Sequence, residues 1–254
     1  MIDCVVLAGG PGVEMGAQEA ARNKALLKIG RQAMVSYVLQ SYRRVQEIER
    51  MVLVGPVEEL NFLQAEYALE TVPESGSLLD NLLAAIRFLQ TDKPVLISTA
   101  DIPLVSPAAV EDFLHQCASF EHDFYYPIVS REDCEKKFPG MRRTYVSLQE
   151  GSFTGGNIFL VNPTKIEPAV PLLRKFMEHR KNPLKMVSLL GTGFVLRALA
   201  KKISIPSLEA RFSELFQISA RAIISRYAEI SFDVDKDDDL LLARQILESE
   251  QAQQ

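Results

Sequence analysis

The sequence predicts an α/β protein built on a mostly parallel sheet with helices on both faces. Short apolar runs rich in β-branched residues recur at 2–7, 51–54 and 94–98. Segments with helical spacing of apolar residues lie between them, and that alternation belongs to parallel βαβ construction. The first run, IDCVVL, is apolar almost throughout, as suits a strand covered on both faces.

Each element has its own warrant. Residues 33–44 set Met34, Val38 and Leu39 at helical spacing, with Tyr42 a turn further. The strand at 51–54 stops at Gly55 and Pro56. Residues 57–67 read as one helix, and 77–90 as a longer one with Leu78, Leu79, Leu82, Leu83 and Ile86 on its inner face. After the strand at 94–98, Ser106 is placed to cap a helix running from Pro107 to about Cys117. Further strands are expected at 123–129 and 157–161. Residues 130–153 are polar, basic in KKFPGMRR and poor in helical period, which predicts a long excursion near the sheet's C-terminal edge. Residues 163–210 are helical and apolar, in two stretches parted by KNPLK; the apolar run 186–196 within them reads as a buried helix. The chain returns through ARAIISRYAEISFDVD and closes with an amphipathic helix at 237–249. The expectation is one domain, 1–254, with a helical insertion at about 163–217 that would cover a site or form an oligomer interface, as in a homodimer.

Composition narrows the partners. The 254 residues are 47% hydrophobic and 24% charged, enough to bury a large core. A net charge of −5 leaves no basic footprint for nucleic acid, although a local nest of backbone N–H groups can still hold a small anion. Cys4, Cys117 and Cys134 are odd in number and scattered, which argues for a reducing cytoplasm and against a disulfide framework or zinc site. No signal peptide is read at the start. No apolar run approaches the roughly 20 residues that span a bilayer, so no membrane partner is expected. His115, His122 and His179 have no fixed spacing to a Cys or an acid and read as solvated histidines.

The first strand runs into LAGGPGVEMG. A dinucleotide fingerprint needs G-x-G-x-x-G and an acid about 20 residues on. Gly10 and Gly12 fit, but Met15 stands at the third glycine and the second strand ends in Gly55. A P-loop fails because no G-K-[ST] follows. Alone, Gly9, Gly10 and Gly12 would serve equally as a tight turn. The continuation, NKALLKIGRQAMVSYVLQSY, adds a lone Lys24, a glycine turn at Gly30 and an amphipathic helix.

Taken together, LAGGPG, NKALLKIG and MVSYVL resemble the opening of the sugar-nucleotide-type nucleotidyltransferases, in the branch similar to the MobA-like molybdenum-cofactor nucleotidyltransferases. The resemblance covers roughly 1–162 and 218–249. It implies a Rossmann-like, nucleotide-diphospho-sugar transferase-like sheet. It also implies an activity: transfer of a nucleoside monophosphate from a triphosphate, CTP or GTP favoured, to a small phosphorylated acceptor with release of pyrophosphate. By the same resemblance Leu7, Ala8, Gly9, Gly10 and Gly12 would wrap the triphosphate and Lys24 would reach its phosphates. The family's G-x-G-x-R-M-G has Glu14 here in place of its arginine, with Arg22 nearby as a substitute charge, and its Lys-Pro is Lys24-Ala25.

Nucleotidyl transfer implies Mg²⁺ held by carboxylates. VLISTADIPLVSP is an apolar strand that delivers Asp101 to its C-terminal end, where ligands bind in open α/β sheets. On that segment alone Asp101 would equally cap a turn; its match to the family's strand-aspartate-x-Pro pattern implies a metal-binding, catalytic role. SFDVDKDDDL sets Asp233, Asp235 and Asp237 in alternation, but Asp238 and Arg244 occupy the positions where an EF-hand needs Gly and Glu. Asp237, Asp238 and Asp239 are explained by the dipole of a helix N-terminus. By resemblance to the family's closing pattern Asp235 is the second metal ligand, with Asp233 the fallback. PESGSLLDN resembles the stretch lining the nucleobase, through Gly76, Ser77 and Asn81, and reads equally as an ordinary helix start capped by Ser77. FTGGN resembles a turn facing the acceptor, through Thr154, Gly155, Gly156 and Asn157. Two other classes stay open: a nucleotide-binding protein without catalysis, motivated by Glu14, and a glycosyltransferase on the same general sheet using a nucleotide sugar, disfavoured because TADIPLVSP has a single aspartate and the D-x-D spacing of FDVD comes too late in the chain.

Overall fold

A computed structural model describes residues 1–10, 13–15, 19–21, 23–179, 189, 191 and 203–252. Gly12, Arg22 and most of the apolar run 186–196 therefore lie outside the described residues. The strands in chain order are β1 (Ile2–Leu7), β2 (Val13–Met15), β3 (Glu19–Ala21), β4 (Lys28–Ile29), β5 (Gln32–Ala33), β6 (Ile48–Gly55), β7 (Glu70–Pro73), β8 (Val95–Thr99), β9 (Phe124–Ser130), β10 (Val146–Leu148), β11 (Gly151–Gly155), β12 (Ile158–Val161) and β13 (Ala220–Ser225). The helices are α1 (Met34–Arg43), α2 (Val57–Leu60), α3 (Phe62–Tyr67), α4 (Leu78–Leu89), α5 (Pro107–Gln116), α6 (Arg131–Lys137), α7 (Ile166–His179), α8 (Ile205–Phe216) and α9 (Asp237–Ala252).

Nine strands form one sheet in the order β10-β11-β9-β12-β8-β1-β6-β7, with β13 paired to β9. Seven run one way; β11 and β12 are reversed. The mostly parallel expectation holds, and the reversal of β12 has a use. It brings the start of β12 to the end of the sheet where β1 and β8 finish. Strand β1 lies inside the sheet, and its run, apolar but for buried Asp3, follows from cover on both sides. Cys4 and Val6 pack in the cluster holding Val38, Tyr42, Val110 and Phe113 of α1 and α5. Val5 and Leu7 pack against Leu79, Leu82 and Leu83 of α4 and Ile166 of α7.

Helix α4 starts where expected, in a capping box: the Ser77 hydroxyl accepts from Asp80 N–H and the Asp80 carboxylate accepts from Ser77 N–H. Helix α5 has Ser106 as its cap and Pro107 in its first turn. Two expectations are corrected. Residues 57–67 divide into α2 and α3 at Asn61, whose carbonyl accepts from Gln64 N–H at 3.1 Å and whose side chain accepts from Gln64 Nε2 at 2.9 Å. Asparagine offers the backbone such local alternatives to a continuous helix. Residues 130–153 contain α6 and the β10–β11 hairpin; α6 buries only Cys134, so its apolar period is invisible in sequence. The three cysteines are free and buried. Among the described residues no helix is long and apolar enough to cross a membrane.

Candidate functional site

The chain leaves β1 at Leu7 and turns through Ala8, Gly9 and Gly10. Buried Asn23 locks the return: its Nδ2 donates to Ala8 O at 2.6 Å and its Oδ1 accepts from Ala25 N–H at 2.7 Å, starting a single 3₁₀ turn over Lys24–Leu26. Lys24 is thereby fixed at the C-terminal end of β1. Its ammonium donates to Asp101 Oδ2 at 2.6 Å and to Asp235 Oδ1 at 2.7 Å.

Asp101 follows β8 directly, and Ala100 N–H donates to Leu7 O at 3.1 Å, so the two strand ends stay side by side. The Asp101 carbonyl accepts from Val234 N–H at 2.9 Å, which ties the late segment to the same place. There Phe232 and Val234 are fully buried in the core that α9 covers, and the alternate residues Asp233 and Asp235 project the other way. Asp239 accepts from the N–H groups of Asp235 and Lys236, both at 3.0 Å, and holds the entry to α9. Arg143, from the loop before β10, pairs with Asp233 and lies over the Phe232 ring at 5.5 Å.

One oxygen from each of Asp101, Asp233 and Asp235 falls within 4.8 Å of the others. The set is all carboxylate, the donor chemistry of a hard divalent cation. Asp101 Oδ1 is buried and has no hydrogen-bond partner among the described residues, a cost that a cation there would relieve. The residues therefore fit Mg²⁺. The electrostatics agree: burial pushes the Lys24 ammonium down, but the Asp101 charge and the bonds to Asp101 and Asp235 more than offset it, so it titrates above its ordinary value. Asp233 is held above the usual carboxylate range by burial and by the charges of Asp101 and Asp235, against the pull of Arg143.

The other predicted residues flank this centre on two sides. Toward β6 and β7, a Cβ on Gly9 would lie 2.5 Å from Asn81 Nδ2 and 2.9 Å from Glu74 Oε2, so only glycine fits. Gly10 N–H donates to Glu74 Oε2 at 3.1 Å. Asn81 is buried and accepts from Ser75 N–H at 2.7 Å; Gly76 sits at φ 115°, and Ser77 is engaged as the α4 cap. Toward β12, Asn157 O accepts from Thr99 N–H at 3.2 Å, which seats the turn beside Asp101. Thr154 pairs with Val129 in the sheet. Gly155 lies against Tyr126, and a Cβ on Gly156 would meet Ile230 Cγ2 at 2.6 Å; the close approach these glycines permit is made by protein side chains. Asn157 N–H and Nδ2 both point at Ile230 O, at 2.9 and 3.4 Å.

Three residues escaped the sequence reading: Asn23, Glu74 and Arg143. The first carries a legible signal, an asparagine immediately before the lysine. Glu74 and Arg143 carry only composition, an acid in PESG and the last of two arginines in KKFPGMRR.

A search of curated protein sequences gives no match. Among solved structures, a hypothetical transferase from Thermus thermophilus is similar at 34% identity and a TM-score of 0.80, covering 94% of this chain and 99% of that one. Two more distant structures share the fold. One is 4-diphosphocytidyl-2C-methyl-D-erythritolsynthase from Anaerococcus prevotii DSM 20548, at 10% identity, a TM-score of 0.58, and cover of 97% and 96%. The other is CMP:2-keto-3-deoxy-manno-octonic acid synthetase complexed with CTP, at 12% identity, a TM-score of 0.61, and cover of 98% and 100%. The model of the MobA-like NTP transferase domain matches residues 4–210, which take in the glycine turn, Lys24, Asp101 and the β12 turn. The chain belongs to the MobA-like NTP transferases, a family of nucleotidyltransferases.

Proposed function

We propose that the protein is a Mg²⁺-dependent nucleotidyltransferase that moves a nucleoside monophosphate, from CTP or GTP, onto a small phosphorylated acceptor and releases pyrophosphate. One observation carries this reading: Lys24 and the three carboxylates Asp101, Asp233 and Asp235 meet at the C-terminal end of the parallel strands. Sheet order supports a division of the site into two sides. The β1 turn with Gly9 and Gly10, together with Gly76 and Asn81, would take the nucleotide; the β12 turn would take the acceptor through Thr154 and Asn157, while Gly155 and Gly156 seat that turn on Tyr126 and Ile230; Asp101 on β8 stands between them. Ser77 is spent as the α4 cap, its N–H donating to Asp80 and its carbonyl accepting from Asn81 N–H, so its part is to start α4 beside Asn81.

A phosphate oxygen of the acceptor attacks the α-phosphorus in line; the new P–O bond forms as the bond to the β-phosphate bridging oxygen breaks. Asp101 and Asp235, with Asp233 in reach, would hold Mg²⁺, which supplies charge neutralisation for the triphosphate and departing pyrophosphate. Lys24 exchanges its carboxylates for phosphate oxygens when the nucleotide enters, and the chain contributes positioning rather than a covalent nucleophile. Residues 163–217 are read as a helical insertion of a single domain. The ion pair of α7 Arg174 with Asp80 of α4, at 2.8 Å, sets its first helix against α4, next to the residues proposed for the nucleotide. Three free buried cysteines support a cytoplasmic setting.

The test is pyrophosphate release and thermal shift with each of the four triphosphates, with and without Mg²⁺, on wild type and Asp101→Asn. A Mg²⁺-dependent shift selective for one base and absent in Asp101→Asn is expected. No binding of any triphosphate would overturn the reading.

A further inference from the structure

A cavity of about 540 Å³ opens where α1, the loop before α5, α6 and α9 meet, and none of Lys24, Asp101, Asp233 or Asp235 lines it. That volume is in the range that holds a small molecule. Its wall is apolar at Tyr37, Leu104, Val105, Phe138 and Leu247, and four of its lining residues are charged. Glu229 is buried, with its carboxylate accepting from Ser106 Oγ at 2.9 Å. The other three are cations from three separate elements. Arg31 stands on the turn joining β4 and β5, set by Gly30 at φ 58°; Arg44 ends α1; Lys137 is the last residue of α6.

All three cations are exposed, and none has a side-chain ion pair or hydrogen bond among the described residues. One such side chain on a surface is ordinary. Three around a single apolar hollow, on a protein of net charge −5, concentrate positive potential where a ligand can leave water. Three cations against one carboxylate leave two positive charges unmatched, and two of the cations are guanidiniums, which bind phosphate with paired N–H bonds.

We infer that this cavity is a second binding site, separate from the triphosphate site, for a dianionic organic phosphate with a small apolar body. The apolar body lies on Tyr37, Leu104 and Phe138 while the phosphate engages Arg31, Arg44 and Lys137. The loop forming one wall follows Asp101 directly and is anchored by Ser41 Oγ, which donates to Val105 O at 2.6 Å.

The probe is phenyl phosphate, with inorganic phosphate and benzyl alcohol as its charged and apolar halves. Binding is read by calorimetry and by amide NMR shifts of the full chain. Phenyl phosphate is expected to bind more tightly than either half and to shift Gln40, Ser41, Val105 and Ser106. The double variant Arg31→Gln, Arg44→Gln, which breaks no bond described in the fold, is expected to weaken it at least roughly tenfold, an effect that two lost charge-assisted bonds supply. Lys24→Met should leave it unchanged. Three results would each overturn the assignment: no binding, binding indifferent to the double variant, or shifts centred on Gly9, Gly10 and Asn81 and lost in Lys24→Met. The last would move the phosphate to the triphosphate site and leave the transferase reading intact.

Discussion

Replacing Lys24 with Met separates its two roles. In the ligand-free protein its ammonium bridges Asp101 and Asp235, with side-chain exposures of 21%, 22% and 64% respectively. The half-buried bond to Asp101 is of the charge-assisted kind worth about 1.5–3 kcal/mol. The bond to exposed Asp235 adds at most about 1 kcal/mol. A net loss of roughly 2 kcal/mol lowers the melting point of a chain this size by about 4–8 °C. The same substitution removes the cation with which Mg²⁺ must compete, so Mg²⁺ should stabilise Lys24→Met more than wild type. Triphosphate binding should move the opposite way, weakening roughly 10- to 100-fold as the phosphates lose their charged donor. Differential scanning fluorimetry with Mg²⁺, and calorimetry with the preferred nucleotide, read both. A variant whose Mg²⁺ response is no larger than wild type's would refute the claim that ammonium and metal share one place.

Further outcomes follow from the same geometry. Asn23→Ala leaves the buried Ala8 carbonyl and Ala25 N–H without their side-chain partners and should cost about 1–3 kcal/mol, seen as a lower urea midpoint, with weaker triphosphate binding because Lys24 loses its placement. Gly156→Ala drives a methyl against Ile230 and Pro127 and should destabilise by about 1–3 kcal/mol; a neutral result by urea denaturation would mean that the β12 turn is slack. Burial pushes the Asp123 carboxyl up, but bonds from Ser219 N–H and Oγ and from Asn162 Nδ2 outweigh it and hold it below its ordinary value. Its stabilisation is therefore complete above an unfolded value of about 3.9 and fades as pH falls through the lower folded value. The gap in urea midpoint between wild type and Asp123→Asn should accordingly shrink below pH ~4, and a gap that is constant with pH would contradict it.

Much of this site is legible in the sequence because its residues sit at ends of regular elements. Asp101 ends an apolar strand and precedes a capped helix, so its place at the sheet's C-terminal edge follows from local pattern alone. Asp235 is readable only through the resemblance of SFDVDKDDDL to the family's closing pattern; the structure adds that buried Phe232 and Val234 alternate with the acids. Glu74 and Arg143 are not readable, since their partners Gly10 and Asp233 lie 64 and 90 residues away and only the folded sheet joins them. The same holds for the FTGGN turn. Its two glycines announce that something comes close, and only packing reveals Tyr126, Pro127 and Ile230 as the neighbours. Helix α6 hides because charge, not apolar period, dominates a seven-residue element with one buried side chain.

The bridge from Lys24 to Asp235 spans 211 residues of chain. During synthesis at about 5–20 residues per second, the lysine emerges roughly 10–40 s before the second carboxylate. For that interval the glycine turn, the lysine and finally Asp101 can assemble around β1 and β8, yet the acidic cluster stays incomplete. A nascent or truncated chain ending anywhere before β13 thus carries the glycine turn, Lys24 and Asp101 without Asp233 and Asp235, the other two members of the acidic cluster. On the proposed function, competence would be acquired in a single late step, when the segment carrying Phe232 and Val234 enters the core and delivers Asp233 and Asp235 together.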